Sequence, residues 1–239
     1  MNEFLKMSKE NKKLKKTLIF DLPSGKTCPM AYECHSYAVM NDNGKLTVKD
    51  GNNNKFRCFA ASQEAQYPNV YKARKYNHDL ILKSLKNDNG IKSNTIDLVN
   101  KSIEKHINKN IDKVRIHSSG DFFNGEYLRV WLAVARLNKH LKFYCYSKSL
   151  HLFGTNVSIP DNFYLTASMG SKMDRLIHAG YFKRYAIVVN SEAEAIKKGI
   201  EHIGKPYKID KDDSSCFKPD PFALLIHGTQ KKGYFKNLK

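Results

Sequence analysis

The chain of 239 residues has no apolar run approaching the roughly 20 residues that a membrane span requires. Its first residues, MNEFLKMSKENKKLKK, lack the apolar stretch of a secretory signal peptide. These two absences point to a protein that stays in the cytoplasm. Cysteine is scarce and odd in number, five in all. In a reducing compartment that excludes a disulfide framework, so metal binding, catalysis or simple burial must account for the thiols. No Pro/Gly/Ser-rich linker and no internal repeat divides the chain. One domain is therefore expected over residues 17–239, preceded by a basic polar arm, 1–16, that is mobile or a frayed helix. Acidic residues are also short, 23 against 41 Lys and Arg, for a net charge of +18. Such a surplus implies a polyanionic partner, most commonly nucleic acid, although the Lys- and Asn-rich codons of an A·T-rich genome would produce the same excess. With 41% hydrophobic and 11% aromatic residues a sizeable core can form, and the composition is not that of a disordered chain.

What is present reads as alternating elements. Thr17–Phe20 is a short apolar strand, and Pro23, Gly25 and Pro29 then enforce an irregular loop. The turn signals Asn43-Gly44 and Asp50-Gly51 flank the run Lys45–Val48 and predict a hairpin or flap. From Ser62 to about residue 86, Val70, Ala73, Leu80, Ile81 and Leu85 recur on one helical face, with Lys72, Arg74, Lys75 and Lys83 on the other. A second helix is expected over 95–107. Strands are then expected at Val114–His117, Phe143–Tyr146, Phe163–Thr166, Tyr185–Val189 and Phe222–Ile226. Helices are expected at Glu126–Asn138, Met173–Ala179 and Glu192–Lys198. Strand–helix alternation with short apolar strands predicts an α/β fold, a parallel (β/α) partial or complete TIM-like barrel, with the Pro-bearing loop and the flap at its N-terminal side.

In such folds the working residues gather where strands end and helices begin. The loops there are His117-Ser118-Ser119-Gly120-Asp121, Ser147-Lys148-Ser149, the Ala167–Ser171 segment with Ser168, and Asn190-Ser191-Glu192. Helix capping accounts for any one of them, and for Ser191-Glu192 in particular. The first loop sets a His, two hydroxyls, a Gly and a carboxylate in five residues. Candidate catalytic groups are His117, Asp121, Lys148 and Asp174. Candidate cofactor contacts are Ser118, Ser119, Gly120, Ser147, Ser168 and His227, the last ending an apolar strand.

Cys28 and Cys34 stand in the Pro-bearing loop and Cys58 follows just past the flap. Loop closure grows costly only slowly with length, so all three can reach one metal. Three thiolates suit zinc with a fourth ligand, His35 being available, or a [4Fe–4S] cluster with one open iron. Buried or incidental thiols are the alternative. Cys145, inside a strand, reads as core, and Cys216 as a spare ligand at most. Asp210, Asp212 and Asp213 form an acidic group in a basic protein. They are suited to bind a cation, act as base or orient a substrate amine, or else to form a solvated turn. Tyr71, Lys72, Arg74, Lys75 and Tyr76 interleave rings and charges as a nucleic-acid surface does, or as an ordinary helix with half-buried tyrosines does.

The ordered segments KTCPMAYECHSYA (26–38), FRCFAASQEA (56–65), VRIHSSGDFF (114–123), FYCYSKSL (143–150), IDKDDS (209–214) and FALLIHGTQ (222–230) resemble the phage gene product 88 family over about residues 17–232. The resemblance implies a phage or prophage origin, hence the host cytoplasm, and a shared motif set: the three cysteines, the HSSGD and SKS loops, and the acidic group with His227. A more distant likeness is to radical S-adenosylmethionine enzymes, which combine a three-cysteine loop, a parallel partial barrel and a small-residue-plus-acid motif. Ser119-Gly120-Asp121 would fill that last part. Those enzymes keep their cysteines in one short loop, whereas Cys58 lies far downstream here.

Three functions follow as expectations. The first is an enzyme with a [4Fe–4S] cluster and S-adenosylmethionine that modifies a nucleotide or nucleic-acid base. The second is a zinc-stabilised glycosylase or base-exchange enzyme using Asp121 or Asp174. The third is a non-catalytic basic protein binding nucleic acid or a host factor. The oligomeric state is not legible.

Overall fold

The computed structural model describes residues 3–9, 13–88 and 92–226. The expected arm begins instead as part of the sheet. β1 (Met7–Lys9) pairs antiparallel with β2 (Thr17–Phe20), and Leu5 and Leu14 are buried. The apolar Phe4-Leu5 and Leu14 in an otherwise charged segment are what bury it. The flap is a hairpin of β3 (Ser36–Met40) and β4 (Leu46–Asp50), turning at Asn41–Gly44, and its first strand precedes the region expected from the turn signals.

The long helix expected from Ser62 is two helices, α1 (Phe59–Gln66) and α2 (Pro68–Asn87). Pro68 has no N–H to continue the first helix but suits the first turn of the second, so the chain breaks at Tyr67. α3 (Ser93–His106) follows, then β5 (Lys113–Ile116), α4 (Gly125–Leu137), β6 (Lys142–Ser147), β7 (Phe163–Ser168), α5 (Asp174–His178), β8 (Tyr185–Val189), α6 (Glu192–Ile203), β9 (Lys208–Ile209) and β10 (Phe222–Leu225). Asn124 caps α4, its side chain accepting the Tyr127 N–H at 2.8 Å, and Ser191 caps α6 as expected.

The main sheet has eight strands in the order β1-β2-β5-β6-β7-β8-β10-β9, all parallel except β1. β1 and β9 form its two edges, so among the described residues it is an open sheet, and the complete barrel allowed by the sequence is not formed. Side chains alternate between its faces. Val114, Ile116, Phe143, Cys145, Phe163 and Leu165 pack under the helices around Trp131 and Tyr127, both fully buried. Arg115, Tyr144, Tyr146, Tyr164, Phe222 and Leu224 belong to the opposite, inner face, which is covered by the short turn Ser214–Phe217. Those strands therefore bury an apolar face and a polar–aromatic one, rather than two equivalent apolar faces. No described helix is long and apolar enough to cross a membrane.

Candidate functional site

A cavity of about 1290 Å³ runs along the inner face of the sheet. Cys28, Cys34 and Cys58 line it, together with the His117–Asp121 loop, Lys148 and Ser168 from the carboxyl ends of β5, β6 and β7. Asp210, Asp212 and Asp213 line the same cavity, so the acidic group and the cysteines share one space. Cys145 and Cys216 are buried elsewhere, while the three cavity cysteines keep partial exposure.

The cysteine loop is fastened at both ends. Leu22 N–H donates to the Ser119 carbonyl at 3.0 Å. Tyr32 and Glu33 N–H both donate to Gly170 O at 3.0 Å, and Lys172 N–H donates to Met30 O at 3.0 Å. The Pro-bearing loop is thereby stitched to the segment after β7. Cys58 enters from a third direction as the residue before α1. Its N–H donates to Ser36 Oγ at 3.1 Å, and its sulfur receives the N–H groups of Ala60 and Ala61 at the start of that helix. The distance in sequence that set Cys58 apart is closed by the β3–β4 hairpin, which returns the chain to the cavity. Burial pushes its thiol up to about 12, with Cys34 adding to the rise and the two N–H groups opposing it. The Cys28 thiol is raised well above its ordinary value by burial, then by Asp121, Cys58 and Cys34. Burial raises Cys34 too, against the pull of Lys148. The three thiols thus lie within each other's electrostatic reach. No three His, Cys, Asp or Glu side chains among the described residues are arranged to hold a single metal ion.

The HSSGD loop turns sharply. Gly120 has φ +87°, and a Cβ there would lie 2.7 Å from Leu22 Cβ and 2.8 Å from Thr27 Oγ1. Only glycine fits that conformation and that space. His117 is buried against Phe122 and Tyr127, with Nε2 2.8 Å from Tyr127 Oη. Burial depresses it to about 3, so the imidazole is neutral, a poor proton carrier near neutrality. Asp121 is buried as well and accepts Ser147 Oγ at 2.7 Å, Lys148 N–H at 2.8 Å and Phe122 N–H at 2.7 Å. Burial raises it to about 6 against those donors. It ties the ends of β5 and β6 together, and Ser147 is occupied in that tie. Lys148 Nζ donates to Ser168 Oγ at 2.9 Å and to the Met169 carbonyl, which fastens β6 to β7. Asp174 accepts Gly170 and Ser171 N–H, both at 2.9 Å, and does not line the cavity. It closes the 170–174 turn and is a structural residue in this fold rather than the nucleophile or base the sequence suggested.

The sequence reading missed a buried network behind the loop. Asp21, the residue after β2, accepts Ser118 N–H at 2.7 Å, Ser118 Oγ at 2.7 Å and Ser119 N–H at 2.9 Å. Glu64 on α1 accepts Ser24 Oγ at 2.7 Å and Ser119 Oγ at 3.1 Å. Arg74 lies between them, 3.1 Å from each carboxylate. Burial works against the Asp21 charge, but Arg74 and the two serines hold its carboxyl below the usual range. A buried-polar signal was available at Asp21, which stands between Phe20 and Leu22.

Arg74 is therefore corrected from a nucleic-acid contact to a core cation, only 4% exposed. Its neighbours divide. Tyr76 packs on the main core with Lys6 over its ring, Lys75 pairs with Asp79 at 2.6 Å, Tyr71 is half-buried and Lys72 is exposed. They form no continuous basic–aromatic strip, because Arg74 and Asn77 turn inward.

The three acidic residues also separate. Asp213 binds Arg115 Nη1, Tyr144 Oη and Tyr146 Oη, the last two at 3.2 Å. Asp212 is exposed and accepts Ser214 N–H at 3.1 Å. Asp210 is 4% exposed and receives the long contacts of Ser214 Oγ and Ser215 N–H, 3.3 and 3.4 Å, on Oδ1, with the Ser215 and Asp212 side chains beside its carboxyl, while Oδ2 has no hydrogen-bond partner. Burial and Asp213 raise its carboxyl above the usual range. His227 lies outside the described residues.

The gene product 88 family model matches residues 3–239. No curated protein and no solved structure matches the chain.

Proposed function

The chain belongs to the gene product 88 family, and we propose that it is an enzyme that holds an iron–sulfur cluster on Cys28, Cys34 and Cys58 and uses S-adenosylmethionine to modify a nucleotide or nucleic-acid base. The observation that carries this reading is the convergence of three cysteines, spread over 31 positions of the sequence from Cys28 to Cys58, on one large cavity at the carboxyl ends of parallel strands. The strands from β2 through β5, β6 and β7 to β8 are laid side by side in sequence order. That is the order of a partial (β/α) barrel, whose carboxyl-end rim is the place for a substrate.

Three cysteine thiols are the donor type that an iron–sulfur cluster or a zinc ion takes, and the order of the parallel strands is what favours the cluster here. Held on Cys28, Cys34 and Cys58, a cluster would supply one-electron chemistry to S-adenosylmethionine. The chain's own residues position. Cys58 is held by Ser36 and by the start of α1. Lys148, tied to Ser168, sets a positive charge felt by Cys34 that suits an anionic cofactor group. Asp121 and the Asp21–Arg74–Glu64 network keep the Ser118-Ser119-Gly120 turn in place as one wall.

The test is the metal and sulfide content and the visible spectrum of anaerobically purified protein, beside a Cys28/Cys34/Cys58→Ala variant. Iron with sulfide and a broad band near ~400 nm, lost in the variant, is expected. Stoichiometric zinc without colour transfers the reading to the zinc-stabilised nucleic-acid enzyme. Absence of any metal overturns both.

A further inference from the structure

Two carboxylates sit side by side on the inner face of the sheet and have opposite fates. Asp213 is saturated by an arginine and two tyrosine hydroxyls. Asp210, equally buried, keeps one oxygen without any hydrogen-bond partner, and it lines the cavity. A carboxylate oxygen withdrawn from water is normally paired inside the protein. One that is not, on a residue that lines a cavity, can accept from a donor on a ligand. Asp212, Asp213, Ser214 and Ser215 are its polar neighbours, and the apolar side chains of Val188, Leu224, Ile209 and Phe217 line the same cavity. Lysines also line the cavity, Lys15 and Lys142 at the amino ends of β2 and β6 and Lys211 just after β9. All three are exposed and form no salt bridge among the described residues. The cavity thus offers one carboxylate oxygen without a hydrogen-bond partner, apolar side chains including Phe217, over whose ring Lys142 lies, and lysines outside any salt bridge among the described residues.

We propose that Asp210 marks a binding subsite for a nucleotide whose base carries an exocyclic amino group. The amino N–H donates to the free oxygen of Asp210, the base lies against Phe217, Val188 and Leu224, and the phosphate meets the lysines. The subsite deepens the function proposed above and rests on it for the idea that a nucleotide is the substrate, but its evidence is independent of the cysteines. The lysine border is what separates this ligand from a simple polyamine, which the positive mouth would repel. With one free oxygen, the subsite reads one donor, so it selects amino-bearing bases from those lacking the group.

The experiment is a fluorescence titration of the full chain with 2-aminopurine riboside 5′-monophosphate, with purine riboside 5′-monophosphate as competitor. The two differ only in the amino group. A hydrogen bond to a charged acceptor predicts that the amino nucleotide binds about 10- to 100-fold more tightly. In Asp210→Ala the two nucleotides bind alike, and in the isosteric Asp210→Asn the preference is intermediate. Asp213→Asn, by contrast, lowers thermal stability, because it breaks a saturated ion pair. Equal binding of the two nucleotides to the natural chain, a comparison that needs no variant, overturns the proposal. So does a preference that survives in Asp210→Ala, or displacement by spermidine at equal concentration. Measuring iron in the same anaerobically purified natural chain that is titrated separates the two ideas. A preference in natural chain that holds no iron sinks the cluster and leaves the subsite, and iron without preference does the reverse.

Discussion

Replacing Arg74 with methionine removes the cation between two buried carboxylates. Its guanidinium donates to Glu64 Oε1 and Asp21 Oδ2, both at 3.1 Å, to Gln63 Oε1 at 2.7 Å and to Ala60 O at 3.4 Å. Side-chain exposure is 5% for Arg74, 1% for Glu64 and 18% for Asp21, so water cannot take over these contacts. Removing one member of such a buried set costs about 3–5 kcal/mol. At about 2–4 °C per kcal/mol for a chain of this size, the midpoint falls by about 6–20 °C. The loss has a pH signature. In the natural chain the Asp21 carboxyl is held below its unfolded value, so its contribution is present above about pH 4 and disappears as the pH falls further. Without Arg74 only the Ser118 and Ser119 donors oppose burial, so the folded value rises. The carboxyl of the variant then protonates at a higher pH than that of the natural chain, so the deficit is greatest at neutral pH and smaller near pH 4–5. Urea unfolding of both chains at pH 7 and pH 5 measures this, with Glu64→Gln added to close a double-mutant cycle. A deficit under about 1 kcal/mol, the same deficit at both pH values, or strict additivity with Glu64→Gln would refute the account of this network.

Gly120→Ala forces a Cβ to 2.7 Å from Leu22 at φ +87°. It should cost at least the about 1–2 kcal/mol of the left-handed conformation alone, read by chemical denaturation, and a neutral result would mean that the HSSGD turn is not rigid. His117, depressed to about 3, should show no imidazole titration by NMR between pH 8 and 5. Because its folded value lies below the unfolded one, the stability it contributes is full above about pH 6.5 and falls by about 1.4 kcal/mol per pH unit below that. A midpoint near 6.5 would show the ring to be solvated.

The alternation of strands and helices was legible because each element is written in its own neighbours. β2 and β8 stand where their apolar runs stand, and Asn124 and Ser191 cap the helices that follow them. The loops after β5, β6 and β7 were equally legible as a common rim, since parallel strands bring their carboxyl ends together. Pro68 was in plain sight, yet the helical periodicity on both sides concealed the break it imposes.

The rest depended on partners far along the chain. Arg74 reads as an exposed charge in its helix and becomes a core cation only because Asp21 and Glu64, 53 and 10 residues away, fold onto it. Asp213 is spent on Arg115, 98 residues distant, which leaves Asp210 as the carboxylate with a free oxygen. Cys58 joins Cys28 and Cys34 through a hairpin whose return path no spacing rule encodes. Periodicity and turn chemistry are local properties of the backbone, and sequence alone therefore determined the elements and the rim. Charge pairing and burial depend on register and packing between distant segments, so only the tertiary structure decided which of the acids, thiols and cations on that rim remain available to a ligand.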